Sequence, residues 1–343
     1  MKFLTHLRGP LRLFPAMAAV MLLAYGCGAS GDAVSNTPYV WPQPPDEARV
    51  KYLRTYTSEA DFPSAFGALT DIVGGKGGRI ALSRPFDLAV DSGGRLYVSD
   101  VEQGLVVFDE KAKTVQALGE KCSIPLETPR GIACGNGKVF VGLQKPGMVV
   151  AITPEGKLVN TIGRPGAFRN PVEVEYDKKN HRLVILDNGT HQAYIYSEKG
   201  DSLMTIGKRG EADGEFNFPQ SAAVDAAGNI YIVDAFNFRV QVFDENGTFL
   251  RKYGTQGDQF GQFARPKGIA LDTFGNIYVV DAVHQNFQIF NKNFDLLLFV
   301  GRFSSDNWGF QNPIGIAIDG RNRIFVADQL NSRIQVFQLV KGD

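Results

Sequence analysis

The stretch RPKGIALDTFGNIYVVDAVHQNFQIFNKNFDLLLFVG, residues 265–301, contains four short apolar runs with turn residues between them. The runs occupy residues 268–271, 277–280, 287–290 and 296–300. Asp272 and Asp281 end the first two runs, and Gly275 between them supplies the positive φ that a hairpin turn needs. Because β-branched and aromatic residues fill runs of this length, the stretch predicts four antiparallel strands.

This pattern recurs six times along the chain with a nearly constant period. Each unit opens on a proline, and successive prolines lie 44, 42, 48, 47 and 47 residues apart; they are Pro85, Pro129, Pro171, Pro219, Pro266 and Pro313. The units begin at about residues 84, 128, 170, 218, 265 and 312. Four short strands repeated at this period are typical of propeller blades. We therefore predict an all-β fold over residues 49–340, a six-bladed β-propeller with four-stranded antiparallel blades.

The sixth unit stops at Val340 after three strands, so its blade lacks an outer strand. Residues 49–57, RVKYLRTYT, form a spare strand at the other end of the propeller sequence. We predict that this N-terminal strand closes the last blade and leaves no open sheet edge in the ring. The connection to the first blade is then expected to include a short helix at 65–73.

The first 26 residues have the pattern of a lipoprotein-type signal peptide. Lys2, Arg8 and Arg12 are followed by an uncharged apolar run over 13–26, shorter than the ~20 residues that span a bilayer as a helix. Residues 27–48 are small and polar and then rich in proline, which predicts a flexible tether with a stiffer end.

The end of this segment, LAYGC at 23–27, resembles a bacterial lipobox. The resemblance implies cleavage before Cys27, lipidation of its thiol and amine, and attachment to a membrane through the acyl chains. Gly28 at the second mature position implies sorting to the outer membrane of the cell envelope, with the propeller in the periplasm or at the cell surface. The alternative is an ordinary signal peptide in which Cys27 has no role.

The charge balance argues against a nucleic-acid partner. The chain has 36 basic and 36 acidic residues, and loss of residues 1–26 leaves 33 basic against 36 acidic residues, a net charge of −3. Three Cys and four His are too few for a disulfide scaffold or a four-cysteine zinc site. For Cys122 and Cys134, both a disulfide in an oxidising compartment and buried free thiols fit the sequence.

The blade sequences resemble the NHL repeat. The matching segments are PKGIALD at 266–272, GNIYIVD at 228–234, NFRVQVF at 237–243 and NSRIQVF at 331–337. The resemblance covers residues 84–338 and is most specific in the last three blades. Blades two and three depart from it, because Leu143 replaces a strand-ending Asp and Glu173 replaces an early Gly.

Together with the lipobox and the WPQPP segment at 41–45, the repeats look like those of envelope lipoproteins with six NHL blades. The resemblance implies a monomeric, non-catalytic scaffold that presents its inter-blade loops to another envelope protein, such as a multihaem cytochrome, or to a small ligand. The alternative is a lyase or lactonase that uses calcium or zinc in the central channel. We expect no bound cofactor in the scaffold.

The acids that end the second strands recur once per blade, so we expect them to be structural rather than catalytic. They are Asp100, Asp187, Asp234, Asp281 and Asp328. A short Asp side chain at a strand end accepts hydrogen bonds from the following turn. His191 and His284 lie two blades apart, which does not bring together the three ligands that catalytic zinc needs.

The second residue after each row proline is expected at the channel mouth. Asp87 and Glu173 at this position are candidate oxygen ligands for a cation. Four basic residues near them either neutralise these acids as ion pairs or attract an anionic ligand: Arg84, Arg130, Arg265 and Lys267. Trp308 and Phe303 in one inter-blade loop are candidate partner anchors, with core packing as the alternative.

Overall fold

The computed structural model describes residues 39–62 and 80–340. The predicted signal peptide, Cys27, most of the tether and the predicted helix at 65–73 lie outside the described residues. Within the described ranges, no helix is both long enough and apolar enough to cross a bilayer.

The described chain forms 25 strands, and β1 (Val40–Trp41) and β2 (Val50–Tyr56) precede the first blade. Blade 1 contains β3 (Pro85–Val90), β4 (Leu96–Asp100), β5 (Gly104–Asp109) and β6 (Thr114–Leu118). Blade 2 contains β7 (Pro129–Gly135), β8 (Lys138–Leu143), β9 (Met148–Ile152) and β10 (Leu158–Ile162). Blade 3 contains β11 (Pro171–Asp177), β12 (Arg182–Asp187), β13 (Gln192–Ser197) and β14 (Ser202–Ile206).

Blade 4 contains β15 (Pro219–Val224), β16 (Ile230–Asp234), β17 (Arg239–Phe243) and β18 (Phe249–Tyr253). Blade 5 contains β19 (Pro266–Leu271), β20 (Ile277–Asp281), β21 (Asn286–Phe290) and β22 (Leu296–Val300). Blade 6 contains β23 (Pro313–Ile318), β24 (Arg323–Asp328) and β25 (Arg333–Leu339). Three single-turn 3₁₀ helices occupy Glu59–Asp61, Ala235–Asn237 and Gln329–Asn331. The predicted six-bladed fold is confirmed.

In every blade except blade 2, an aspartate closes the hairpin turn after the inner strand. In blade 5 the Asp272 carboxylate accepts the backbone N–H of Phe274 at 2.9 Å and that of Asn276 at 2.8 Å. Gly275 adopts a φ of +81° in the same turn, as its place in the sequence predicts. The turn thus fixes the register of β19 on β20.

Blade 6 is closed by both ends of the propeller sequence, as predicted. β2 pairs antiparallel with β25, with Lys51 opposite Gln338 and Tyr56 opposite Ile334. β1 adds a fifth strand outside β2. Trp41 in β1 is buried, and its ring lies 5.7 Å from that of Phe337. The tether predicted to end at residue 48 is therefore shorter, because residues 40–41 already belong to the sheet.

The core lies between neighbouring blades rather than inside any one of them. One cluster, for example, joins Tyr97 and Leu105 of blade 1 to Val139 and Val141 of blade 2. The inner strands contact one another in order around the ring, and β23 contacts β3 to complete it. Each inner strand starts at the face of the inter-blade loops, termed the loop face, and ends at the hairpin turns that lead into the second strands, termed the turn face.

Candidate functional site: the channel and the loop face

The strand-ending aspartates hold the loop face in place. The Asp281 carboxylate accepts backbone N–H groups of Ala264 at 2.8 Å, Val283 at 2.9 Å and His284 at 3.0 Å. It therefore ties the inter-blade loop to the turn that follows β20. Asp100 makes the same set of bonds in blade 1. The structural role predicted for these acids is confirmed.

The inner strands surround a cavity of about 570 Å³. Asp87 and Glu173, predicted near each other, both line it, and Glu175 lines it with them. At the position of Glu175 the other five blades carry alanine, at Ala89, Ala133, Ala223, Ala270 and Ala317. The repeat pattern alone does not mark Glu175 as a channel residue. This break in the repeat at a channel-lining position is the signal that reveals it.

The three channel acids share a poorly solvated space that favours their protonated forms. Burial raises the pKa of Glu173 well above its usual range, and the charges of Asp87 and Glu175 raise it further. Burial also raises the pKa of Asp87 and takes that of Glu175 to about 7, although Lys178 opposes the shift at Glu175.

In the described part of the chain, no three His, Cys, Asp or Glu residues are placed to hold a metal ion.

The cavity reaches the turn face and narrows towards the loop face. Its lining includes the hairpin-turn residues Lys178, Lys179 and Asp225. At the loop-face end only about 10 Å³ is left beside Asp87 and Glu173. The side chains of Phe86, Gln220, Lys267 and Ile314 fill the space there. The channel mouth expected at the start of the inner strands is therefore narrow, because the residue after each row proline is usually large.

Four basic residues lie above this constriction, and we term them the basic mouth: Arg84, Arg130, Arg265 and Lys267. They form two groups, and the first contains Arg130 and Arg84. The Arg130 guanidinium lies 4.6 Å from the centre of the Phe86 ring and donates to the side-chain oxygen of Gln144 at 3.1 Å. Burial lowers the pKa of Arg130, and the charge of Arg84 lowers it further. The two charges are therefore close enough to repel each other.

Lys267 forms the second group with Arg265. The Lys267 Nζ donates to the side-chain oxygen of Gln220 at 3.1 Å. Burial, followed by the charge of Arg265, lowers the pKa of Lys267 to about 8. Among the described residues, neither Lys267 nor Arg130 has a carboxylate oxygen within 4.0 Å, whereas Arg84 lies 3.6 Å from Glu102. The alternative in which these basic residues form ion pairs with Asp87 and Glu173 is not what the structure contains.

A row of exposed apolar side chains occupies the loop face of blades 4, 5 and 6. Phe236, Val283 and Leu330 lie two residues after the strand-ending Asp of their blades and are 55%, 53% and 63% exposed. We term these three residues the apolar arc. The same position holds Glu102, Lys145 and Gly189 in blades 1, 2 and 3. The repeat pattern alone does not predict the arc, although comparison of the blades at this one position reveals it.

Trp308 is a packing residue, which corrects its candidacy as a free partner anchor. Its ring is half-buried and lies 5.8 Å from Trp41. Its backbone N–H donates to the Gln335 side chain at 2.7 Å, and the Arg302 guanidinium covers it at 4.1 Å. Phe303, five residues earlier, is 70% exposed.

The histidines and cysteines have structural surroundings. His191 Nδ1 accepts the backbone N–H of Phe218 at 3.0 Å, and burial lowers the pKa of this imidazole. His284 lies 3.6 Å from Asp281. Cys122 and Cys134 are free thiols, so of the two alternatives for them the structure contains the unpaired one.

Comparison with known proteins supports the repeat assignment. A family described as "6-bladed beta-propeller" matches residues 168–240 and 224–301, and the NHL repeat matches residues 310–337. No curated protein matches the chain.

Solved structures share the fold at low sequence identity. A streptogramin B lyase is 12% identical with a TM-score of 0.55, over 76% of this chain and 95% of that chain. A structural genomics protein of unknown function from Bacteroides thetaiotaomicron is 14% identical with a TM-score of 0.61, over 75% and 70%. An auxiliary nutrient binding protein from the same organism is 16% identical with a TM-score of 0.59, over 75% and 69%. At these identities the likenesses show the fold and carry no activity.

Proposed function

Since the protein is an NHL-repeat six-bladed β-propeller, we propose that it is a binding module of the cell envelope that holds a partner protein on its loop face. The apolar arc carries this proposal. It places one exposed apolar side chain at the same position of three consecutive blades, where the other three blades carry polar residues or glycine. Large exposed apolar side chains that recur on one face, rather than scattered singly, favour an interaction site there.

The backbone that carries the arc is rigid before any partner binds. The Phe236 N–H donates to the Asn217 carbonyl at 3.0 Å, and the Leu330 N–H donates to the Gln311 carbonyl at 3.1 Å. The fully buried Asp234, Asp281 and Asp328 hold the same turns. A preorganised surface loses little conformational entropy on binding, so more of the contact energy appears as affinity.

The proposal places the module at a membrane through a lipid on Cys27. The lipobox resemblance at 23–27 and the apolar run at 13–26 support this anchoring. Fractionation of cells that make the wild-type chain or the Cys27→Ser variant tests it. The wild type is expected with the membranes and the variant in the soluble fraction; membrane association of both would overturn the anchoring without touching the binding proposal.

Site-specific photo-crosslinking tests the binding proposal in intact cells. The photoreactive residue p-benzoyl-phenylalanine replaces Val283 on the loop face or, as the matched control, Thr273 on the turn face of the same blade. Both positions are exposed. We expect a discrete adduct with another protein from position 283 only, and its loss in the Phe236→Ser, Leu330→Ser double variant.

Two results would overturn the proposed function. One is the absence of a protein adduct from position 283; the other is an adduct that forms equally from position 273. An adduct that survives the double variant would likewise remove the apolar arc from the binding site.

A further inference from the structure

We infer that the partner carries an acidic side chain next to apolar ones, and that its carboxylate binds in the basic mouth, where Arg130 and Lys267 have no carboxylate partner. This inference rests on the proposed function, because it concerns the same loop face. It adds the chemistry of the segment that is recognised: apolar residues for the arc and one carboxylate for the mouth.

Position in the ring brings the two cations together around one axis. Arg130 and Lys267 each follow the opening proline of an inner strand, in blades 2 and 5, which are opposite in a ring of six. Lys267 lines the constriction directly. Arg130 stacks on Phe86, which lines it as well. The narrow, loop-face end of the channel therefore has a cation on either side.

The positive charges of Arg130 and Lys267 at this constriction are not neutralised by carboxylates of the described chain. In the described residues, the polar side-chain partners of Arg130 and Lys267 are the neutral amides of Gln144 and Gln220. The acids below face the channel: Asp87 accepts the Ile132 N–H at 2.9 Å, and Glu173 lines the constriction together with Ser221. Burial of a cation without a counter-ion costs free energy, which a bound anion recovers.

The like charges within each group add to this cost. Arg84 lowers the pKa of Arg130, and Arg265 lowers the pKa of Lys267, because each pair is held close in a partly buried place. The Arg84 pair with Glu102 joins two half-exposed side chains and neutralises little. A carboxylate bound beside either group would relieve the repulsion within that group.

The apolar arc selects a protein segment over a simple anion. Lys267 belongs to blade 5, and the arc runs through blades 4, 5 and 6 on the same face. The Ala282 N–H, next to Val283 of the arc, donates to the Arg265 carbonyl at 3.0 Å, so a chain segment with apolar residues on the arc has a neighbouring side chain near the mouth. At protein interfaces, apolar anchor residues usually supply most of the affinity, and complementary charges fix the orientation of the partner.

Selection of peptides against the purified full chain tests the inference. The probe is a phage-displayed library of random dodecapeptides. We expect the selected peptides to carry Asp or Glu beside Leu, Ile or Phe, with affinity that falls as ionic strength rises. The Arg130→Gln, Lys267→Gln double variant is expected to bind them at least about tenfold more weakly. Arg321→Gln, an exposed cation of the turn face, is the control and leaves binding unchanged.

A charge-reversal variant keeps the test independent of folding defects. Lys267→Glu is expected to select peptides with Lys or Arg in place of the acid, which a misfolded protein would not do. Peptides that depend on Phe236 and Leu330 but lack an acid, or that ignore the Arg130 and Lys267 changes, would overturn this inference and leave the proposed function standing. Selected peptides that ignore Phe236 and Leu330 would count against the proposed function instead.

Vesicles of phosphatidylglycerol and phosphatidylcholine test the rival occupant. We expect the full-length Cys27→Ser chain not to sediment with them. Sedimentation that is lost in the Arg130→Gln, Lys267→Gln background would identify a lipid headgroup as the anion and overturn the inference.

Discussion

Asp87 of blade 1 accepts the backbone N–H of Ile132 in blade 2 at 2.9 Å, so a buried carboxylate joins two neighbouring inner strands. Replacement of Asp87 by Ala leaves that N–H without a partner in a buried place. We expect a loss of ~1–3 kcal/mol in the free energy of unfolding. Asp87→Asn keeps an oxygen acceptor without the charge and is expected to lose much less. Urea unfolding of the two variants beside wild type measures the difference; equal losses would show that the bond is not what stabilises the pair.

The raised pKa of Glu175 predicts that stability falls as the pH rises. The folded-state pKa of about 7 lies above the value of about 4.3 expected in the unfolded chain, so the folded state holds the proton more tightly. This contribution is complete below the unfolded pKa and is lost as the pH rises through about 7. Glu175→Gln has no charge to bury and is expected to be more stable than wild type by about 3–4 kcal/mol above pH 8.

The control for this pH dependence is Glu127→Gln, since Glu127 is exposed. Urea unfolding of wild type and both variants at acid and alkaline pH gives the comparison. A Glu175→Gln curve that runs parallel to wild type across the whole range would contradict the channel electrostatics.

Trp41 tests where the folded unit begins. If residues 27–48 were all tether, Trp41→Ala would leave stability unchanged. Because Trp41 is buried against Trp308 and Phe337, we expect a loss of about 3 kcal/mol in the free energy of unfolding. The chain has only two tryptophans, 41 and 308, so tryptophan fluorescence reports on this corner of blade 6. A variant as stable as wild type would show that residues 40–41 do not contribute to the folded unit.

The apolar arc is expected to contribute almost nothing to folding. Phe236→Ser and Leu330→Ser should each change the free energy of unfolding by less than about 0.5 kcal/mol, because both side chains are mostly exposed. Phe263→Ser, at the fully buried position before a row proline, is the contrasting variant and should lose several kcal/mol. Thermal unfolding followed by circular dichroism measures all three. Large losses in the arc variants would mean that these residues serve the core.

The period predicts the fold because a blade depends on features that most units share: an opening proline, a turn with glycine and a strand-ending acid. Because the candidate site depends on residues that differ between blades, these repeated features do not reveal it. Glu175 and the apolar arc are exceptions to the repeat, and they become visible when one position is compared across all six blades. The prolines beside Trp41 are typical of a tether. Sequence composition does not show that β1 pairs with the free edge of β2. The narrowing at the loop face depends on how Phe86, Gln220 and Lys267 fill one layer, which is a matter of side-chain volume.

The pairing of β2 with β25 also sets an order for folding. β2 is made early, yet its partner is among the last residues of the propeller to be synthesised. Until residues 333–339 emerge, β2 lacks its partner and blade 6 is incomplete. Contacts between the two ends of a chain are slow to form. If the chain is exported, this interval coincides with its passage across the membrane, when a holding chaperone would be of most use.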